Sequence, residues 1–278
     1  MAMTHPQERA KNVAKKILTA IVFLLLVTPL GVMPASAAEK PGWRFQFTPY
    51  IWLTAINSDI TVGALNASVD ASFSDIWDNF DQVVALAGRF EAWHGDWGFM
   101  VDGTYSKIST DQTVQTQGLG DVTAKPDFKI SFVEMAVAYE AYRSSSESHP
   151  QVIIQPYLGG RYNYFNQELE LQGAEQGKTV GNSDSWIDPM IGARIEVLLT
   201  RTWRLGARGD IGGFGISNCA DLSWQIAAGV DWLFVDWASL KLGYQWYYTD
   251  YNNDTSGPDA FAFDGTLQGP WLGLTFYF

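Results

Sequence analysis

The sequence predicts an all-β fold, a transmembrane antiparallel up-and-down β-barrel of about ten strands, with twelve or eight as the alternatives. Three observations predict it. Apolar and polar residues alternate with period two over runs of nine or more residues. The connections between these runs alternate between short and long. Aromatic residues are abundant, at 14% with Trp 12, while charged residues are only 17%, and the aromatics gather toward the two ends of the runs.

The chain opens with a segment outside this pattern. Arg9, Lys11, Lys15 and Lys16 precede an apolar stretch at 17–32, and Pro34-Ala35-Ser36-Ala37-Ala38 then leads into Glu39. A basic start, an apolar run and small residues at a cleavage site are the layout of a secretory signal peptide. The run is short for a membrane anchor, which needs about 20 apolar residues, and Pro29 interrupts it. Residues 1–38 are therefore expected to be removed, leaving 39–278 as the barrel domain. Losing four basic residues and Glu8 takes the net charge from −12 to −15.

The strand segments follow in order: about 43–54, 82–93, 97–109, 127–143, 151–166, 185–199, 203–214, 222–234, 238–250 and 266–278. Within 238–249, for example, Leu240, Leu242, Tyr244, Trp246 and Tyr248 alternate with Ser239, Lys241, Gly243, Gln245 and Tyr247. His94–Asp96, Arg143–Pro150, Thr200–Thr202 and Val235–Trp237 are short turns; 55–81, 110–126, 167–184 and 251–265 are long and polar, and 215–221 is intermediate. A sandwich has no reason to sort its loops by end, whereas a membrane barrel does. Trp43, Trp93, Trp97, Tyr142, Trp203, Trp232 and Trp237 fall beside the short turns. Trp52, Tyr105, Tyr164, Trp186, Trp224 and Tyr248 fall toward the long loops, so two interfacial belts are expected. Pro49, Pro156, Pro189 and Pro270 lie inside strands and cannot donate to a ladder, so bulges are expected at all four. In the fourth segment Phe128, Ile130 and Phe132 share parity with Glu134 and Glu140. Either a bulge intervenes near Val133 or the upper half stands above the membrane. Residues 58–73 could form a hairpin; if it entered the membrane, the barrel would have twelve strands.

Parity fixes the contents of the lumen. The inward faces carry Arg44, Arg89, Arg161, Arg194, Arg204, Arg208 and Lys241, with Glu91, Asp102, Glu134, Glu140, Asp188, Glu196, Asp210 and Asp231. Lipid takes the alternating apolar residues, because a charge there costs a few kcal/mol. About eight strands leave room only for side chains and sixteen leave a channel, so ten should be mostly filled. Near-balanced charge points to ion pairing, with Arg204, Arg208, Asp210, Asp231 and Lys241 expected to pair across adjacent strands. A filled, charge-paired lumen suits a structural or surface-interaction role. The alternative is a narrow passive, porin-like channel for ions or small solutes.

The ending Leu272-Gly273-Leu274-Thr275-Phe276-Tyr277-Phe278 resembles the terminal strand of bacterial outer-membrane β-barrel proteins, which end in Phe with apolar residues at alternate positions before it. The small barrels of the OmpA, OmpX and OmpW type are nearest in size, and no specific member's signature stands out. The resemblance implies an outer-membrane location with both termini periplasmic, and outer-membrane lipid and lipopolysaccharide as surroundings. It also implies recognition by the barrel-assembly machinery through Phe278, Phe276, Leu274 and Leu272.

Other chemistry is poorly supported. A strongly acidic chain lacks the basic patch a nucleic acid needs. Cys219 is the single cysteine, so an internal disulfide and a cysteine-built zinc site are excluded. Asp250, Asn252 and Asp254 match the first positions of a calcium loop, but Thr255 and Phe261 break the sixth and twelfth. No cofactor or metal site is therefore expected. The loops are acidic, with Asp59, Asp70, Asp75, Asp78, Asp81, Asp111, Asp121, Glu168, Glu170, Glu175, Asp184, Asp254, Asp259 and Asp264 against Lys125 and Lys178. Solvated loops explain this better than a cation-attracting rim. Hydrolases of this compartment need a histidine near the reacting group. His94 and His149 alone survive signal cleavage, and both sit at short turns, so no enzyme is expected.

Overall fold

The computed structural model describes residues 42–278 apart from 64, 72–82, 110–113, 118–121, 145–149, 173–178 and 217. The expected signal segment, 1–38, lies outside the described residues. The strands, in chain order, are β1 (Trp43–Trp52), β2 (Ala55–Val62), β3 (Leu65–Ala71), β4 (Val83–His94), β5 (Trp97–Ser109), β6 (Val114–Gln117) and β7 (Val122–Tyr139). They continue as β8 (Tyr142–Arg143), β9 (Gln151–Gln172), β10 (Thr179–Leu198), β11 (Trp203–Gly212), β12 (Leu222–Val235), β13 (Ala238–Asn252) and β14 (Phe261–Tyr277).

Ten of these strands close a ring. The order is β1-β4-β5-β7-β9-β10-β11-β12-β13-β14, and β14 returns to β1, with every neighbour antiparallel. Closure leaves no free edge within the ring, as a lipid-exposed sheet requires.

The hairpin expected at 58–73 forms as β2 and β3, but it adds no strand to the ring. β2 continues β1 along β14 in unbroken register, from Trp52 opposite Trp271 to Ala55 opposite Gln268. β3 folds back on β2 after Gly63, whose φ of 61° suits glycine. β3 then meets β6 at Asn66–Gln117 and Ala67–Thr116, and β6 pairs with β7. The wall thus rises beyond the ring along β14, β2, β3, β6, β7, β9 and β10.

Polarity inverts between the two storeys. In the ring the outward residues are apolar, as Leu158 at 65% exposure and Ile187, Ile191 and Ile195 illustrate. So much exposed apolar surface belongs against lipid. Ile187 to Leu199 is twelve steps of about 3.3 Å, which at a tilt of about 40° spans roughly 30 Å, a hydrocarbon thickness. Above it the outward residues are polar: Asn57, Asp59, Asn66, Ser68, Lys129 and Glu168. The inward ones are apolar and buried: Ile56, Ile60, Val62, Leu65, Phe128, Ile130, Phe132 and Phe165.

This inversion corrects one expectation and decides one alternative. The described residues of 110–126 and 167–184 are strand, not loop, and β13 and β14 take in 251–252 and 261–265: β7, β9, β10 and β14 run on into these segments. Their outward face is polar because it meets water, so the chain there imitates a loop in composition. No bulge occurs near Val133, since β5 and β7 pair without a shift from Asp102–Glu134 to Ile108–Phe128. The upper half of β7 simply stands above the apolar band.

The prolines are also corrected. Only Pro156 sits at a slip: Ala138 pairs with Tyr157 but Tyr142 with Ile154, so β7–β8 carries one extra residue there. Pro49, Pro189 and Pro270 stay in register. Each instead lies where one of its two ladders is interrupted. The β1–β14 pairing skips Thr48 and Pro49, the β10–β11 pairing begins just past Pro189, and β14 exchanges β1 for β2 at Pro270. The missing N–H therefore leaves little unsatisfied.

The aromatic belts are real but smaller than expected. Trp43, Trp97, Trp203, Trp232 and Trp237 are exposed at the short-turn end, and Tyr105 and Tyr164 toward the other. Trp52, Trp93 and Trp186 face inward and are buried. Strand parity assigns them to the lumen, which position along the strand alone does not reveal.

Candidate functional site

The candidate site is the lumen, built by inward side chains from every ring strand. All fifteen charged residues expected inside do lie on inward parity, and they sort into tiers. At the short-turn mouth, Lys241 lies 3.8 Å from Asp231, and Tyr277 donates to Asp231 at 3.2 Å. Arg204 faces Asp231 in register, yet its guanidinium sits 5.6 Å over the Tyr277 ring. Glu140 pairs locally with Arg143 at 2.6 Å, and Arg44 donates to the Gly95 carbonyl at 3.3 Å.

One tier higher, Arg194 of β10 reaches across the lumen to Glu91 of β4 with a bidentate pair at 2.7 and 3.0 Å. Glu91 also accepts from Gln46 and from Trp93 Nε1, and Arg194 donates to Gln155. Glu196 lies 3.3 Å from Arg194 on its solvent side. A planar guanidinium matched to two carboxylate oxygens is geometrically specific, so this pair ties opposite walls together.

The central tier is a continuous network. Arg161, fully buried at 0% exposure, donates to Glu134 at 2.9 Å, to Asp210 at 2.6 Å and to Gln225 at 2.8 Å. Arg208 donates to Glu134 at 2.7 Å and lies 3.8 Å from Asp102. Arg89 donates to Asp102 at 2.7 Å. Tyr50 and Tyr157 donate their hydroxyls to Asp102 and Asp210 at 2.7 and 2.9 Å. Three cations face three anions, so the network is neutral, as burial demands. Asp210 and Arg208, neighbours on one strand, pair with other strands instead of each other or Asp231, correcting the expected pairing. The lumen is narrow enough for long side chains to cross it, and side chains two apart point the same way without facing each other.

Asp188 is buried and makes no ion pair among the described residues. It accepts from Ala220 N at 2.8 Å, Asn163 Nδ2 at 2.9 Å and Trp186 Nε1 at 3.1 Å. Three donors replace the missing charge partner and fix the 213–221 loop over the barrel.

Above the charges lies an apolar layer. Trp52, Phe132 and Tyr247 meet edge to face or tilted, with centroids 6.2 and 5.0 Å apart. Tyr247 also lies over Arg161 at 4.9 Å and donates to Asn163 at 2.8 Å. Trp186 stacks on Tyr251 at 3.7 Å. These side chains, with Phe165 and Phe263, are essentially inaccessible.

Parity also marks what charge counting misses. Gln46, Tyr50, Gln155, Tyr157, Asn163, Gln225 and Tyr247 share the inward faces and complete the networks. They are polar but uncharged, so a search for ionic groups passes over them.

Outside the lumen, Asn57, Asp59, Ser68, Asp70, Tyr248, Asp264 and Thr266 line an open cleft of about 260 Å³ against the hairpin. Asp250 lies beyond the apolar band, and burial, then the Asp264 and Asp221 carboxylates, push its carboxyl up. Among the described residues no cluster has the ligands to hold a metal ion. Cys219 donates to the Ile187 carbonyl at 3.0 Å. At the C-terminus, Leu272, Leu274, Phe276 and Phe278 line the outward face of β14 and its end, Phe276 beneath Trp237. The backbones of Phe278 and Phe45 exchange two hydrogen bonds, closing the ring.

Comparison with known proteins places the fold. The chain is similar to the outer membrane protease OmpT of Escherichia coli, with a TM-score of 0.60 at 9% identity over 88% of this chain and 99% of that one. The transport unit of the autotransporter AIDA-I of Escherichia coli aligns at TM-score 0.41 and 9% identity, over 92% and 96% of the two chains. The outer membrane protein OprG of Pseudomonas aeruginosa aligns at 0.35 and 13%, over 86% and 97%. No family model and no curated protein matches the sequence. The fold is that of the bacterial outer-membrane β-barrels, with buried charge pairs in its lumen.

Proposed function

We propose that the protein is a closed outer-membrane barrel with a structural or surface-interaction role, and not a conduit. One observation carries this: a neutral ion network lies beneath an inaccessible aromatic layer, so two different barriers stand in series. Water and ions would have to displace Arg161 and then Trp52, Phe132 and Tyr247, all buried. The short-turn end, with both termini, faces the periplasm, and the polar upper storey stands outside the cell. Residues 1–38 are removed on export.

A protease role, suggested by the printed name of OmpT, fits this chain poorly. His94 is the one histidine among the described residues, and its ring packs 5.1 Å from Trp43 at the short-turn end. His94 therefore sits at the opposite end from the outward-facing carboxylates of the upper storey. His149 lies outside the described residues. A narrow channel is the second reading, favoured only by the polar lower mouth.

Single-channel recording on the refolded protein in a planar bilayer tests the proposal. No steps, or rare small ones, are expected. Large steady conductance in the unmodified protein would overturn it.

A further inference from the structure

The register of three neighbouring strands lays out the outer face row by row. One row is Tyr105, Ser131 and Tyr164; the next is Lys107, Lys129 and Asn166; the third includes Asp127 and Glu168. Tyr105 and Tyr164 belong to the exposed aromatic belt that marks the edge of the hydrocarbon. Two residues along a strand is about 6.6 Å, or about 5 Å of height at a tilt of about 40°. The headgroup layer is about 5–7 Å deep on each side of the hydrocarbon. Lys107 and Lys129 therefore sit at headgroup depth.

Their placement is unusual for this chain. Of the residues whose side chains are described, they are the basic pair that points outward toward the long-loop end, in a protein of net charge −12. They are also direct cross-strand neighbours, and like charges opposite each other repel. Both also face carboxylates near the surface: Lys107 lies 3.7 Å from Asp127, and Lys129 donates to Glu168 at 3.2 Å, all partly exposed. Exposed pairs of this kind hold weakly.

We propose that Lys107 and Lys129, with the Tyr105 and Tyr164 rings beneath them, form a docking facet for the phosphate of an outer-leaflet lipid headgroup. One phosphate between the two ammonium groups relieves their repulsion while acyl chains lie along the apolar band below. The facet deepens the proposed role as a surface barrel, and it rests on that reading only for which leaflet it meets.

The test is native mass spectrometry of the folded protein in detergent, titrated with phosphatidic acid, with phosphatidylcholine and inorganic phosphate as the other arms. A basic side chain at an anionic surface contributes about fivefold, so Lys107→Gln with Lys129→Gln is expected to weaken phosphatidic acid binding about 25-fold. Asp127→Asn with Glu168→Gln is expected to tighten it by removing the competing carboxylates. Unchanged affinity in the lysine variant overturns the facet. If that variant fails to fold, unchanged affinity in the carboxylate variant overturns it instead. Displacement of phosphatidic acid by equimolar inorganic phosphate would make the ligand a free anion and overturn the lipid assignment. Conductance is a separate measurement, so the closed lumen and the facet can fail independently.

Discussion

Replacing Arg161 by Met should be the most damaging single change in the central network. Arg161 is the cation shared by Glu134 and Asp210. Without it Glu134 keeps Arg208, at 2.7 Å. Asp210 keeps only the Tyr157 hydroxyl, at 2.9 Å, and no cation. Breaking a buried pair by removing one partner costs about 3–5 kcal/mol, because a charge is left uncompensated. Arg208→Met is a different case. Glu134 then retains Arg161, and Asp102 retains Arg89. The network then also carries one excess negative charge, but each carboxylate keeps a cation, so the loss should be smaller than for Arg161→Met. Adding Asp210→Leu to Arg161→Met removes the orphaned carboxylate and should recover part of the loss. The assay is urea unfolding of the barrel in lipid vesicles, read by the heat-modifiable gel shift and by tryptophan fluorescence. Arg161→Met within about 1 kcal/mol of the unmodified protein, or less damaging than Arg208→Met, would refute the reasoning.

Three further outcomes are expected. Trp52→Ala with Phe132→Ala should raise single-channel conductance, whereas Arg208→Ala should not, because it leaves the aromatic layer intact; burial predicts about 3–5 kcal/mol of lost stability for each aromatic truncation. Deleting Phe278 removes the backbone pair with Phe45 and the residue that resembles the assembly signal, so membrane insertion in cells should fall, as fractionation would measure. His94→Ala with His149→Ala should leave any biological activity intact, and a loss with an unaltered gel shift would point to a site at the short-turn rim.

The sequence by itself determined the ring. Alternation with period two, as in Leu240 to Tyr248, needs no partner to be read, and it assigned every lumen charge to the inward face because parity is a local property. The alternation of turn lengths gave the number of ring strands for the same reason. Chemistry above the membrane was legible only in part. Phe128, Ile130 and Phe132 sat on the face of Glu134, a conflict that the residues stated without resolving. Only the tertiary structure decided it, because which face is apolar depends on what surrounds the wall: lipid outside the ring, water outside the upper storey. Partner choice was likewise non-local. Arg194 and Glu91 are 103 residues apart, and nothing in the sequence around either predicts their meeting. Arg208 chose Glu134 over its strand neighbour Asp210 because the bore is narrow enough to cross, and that width exists only once ten strands have closed.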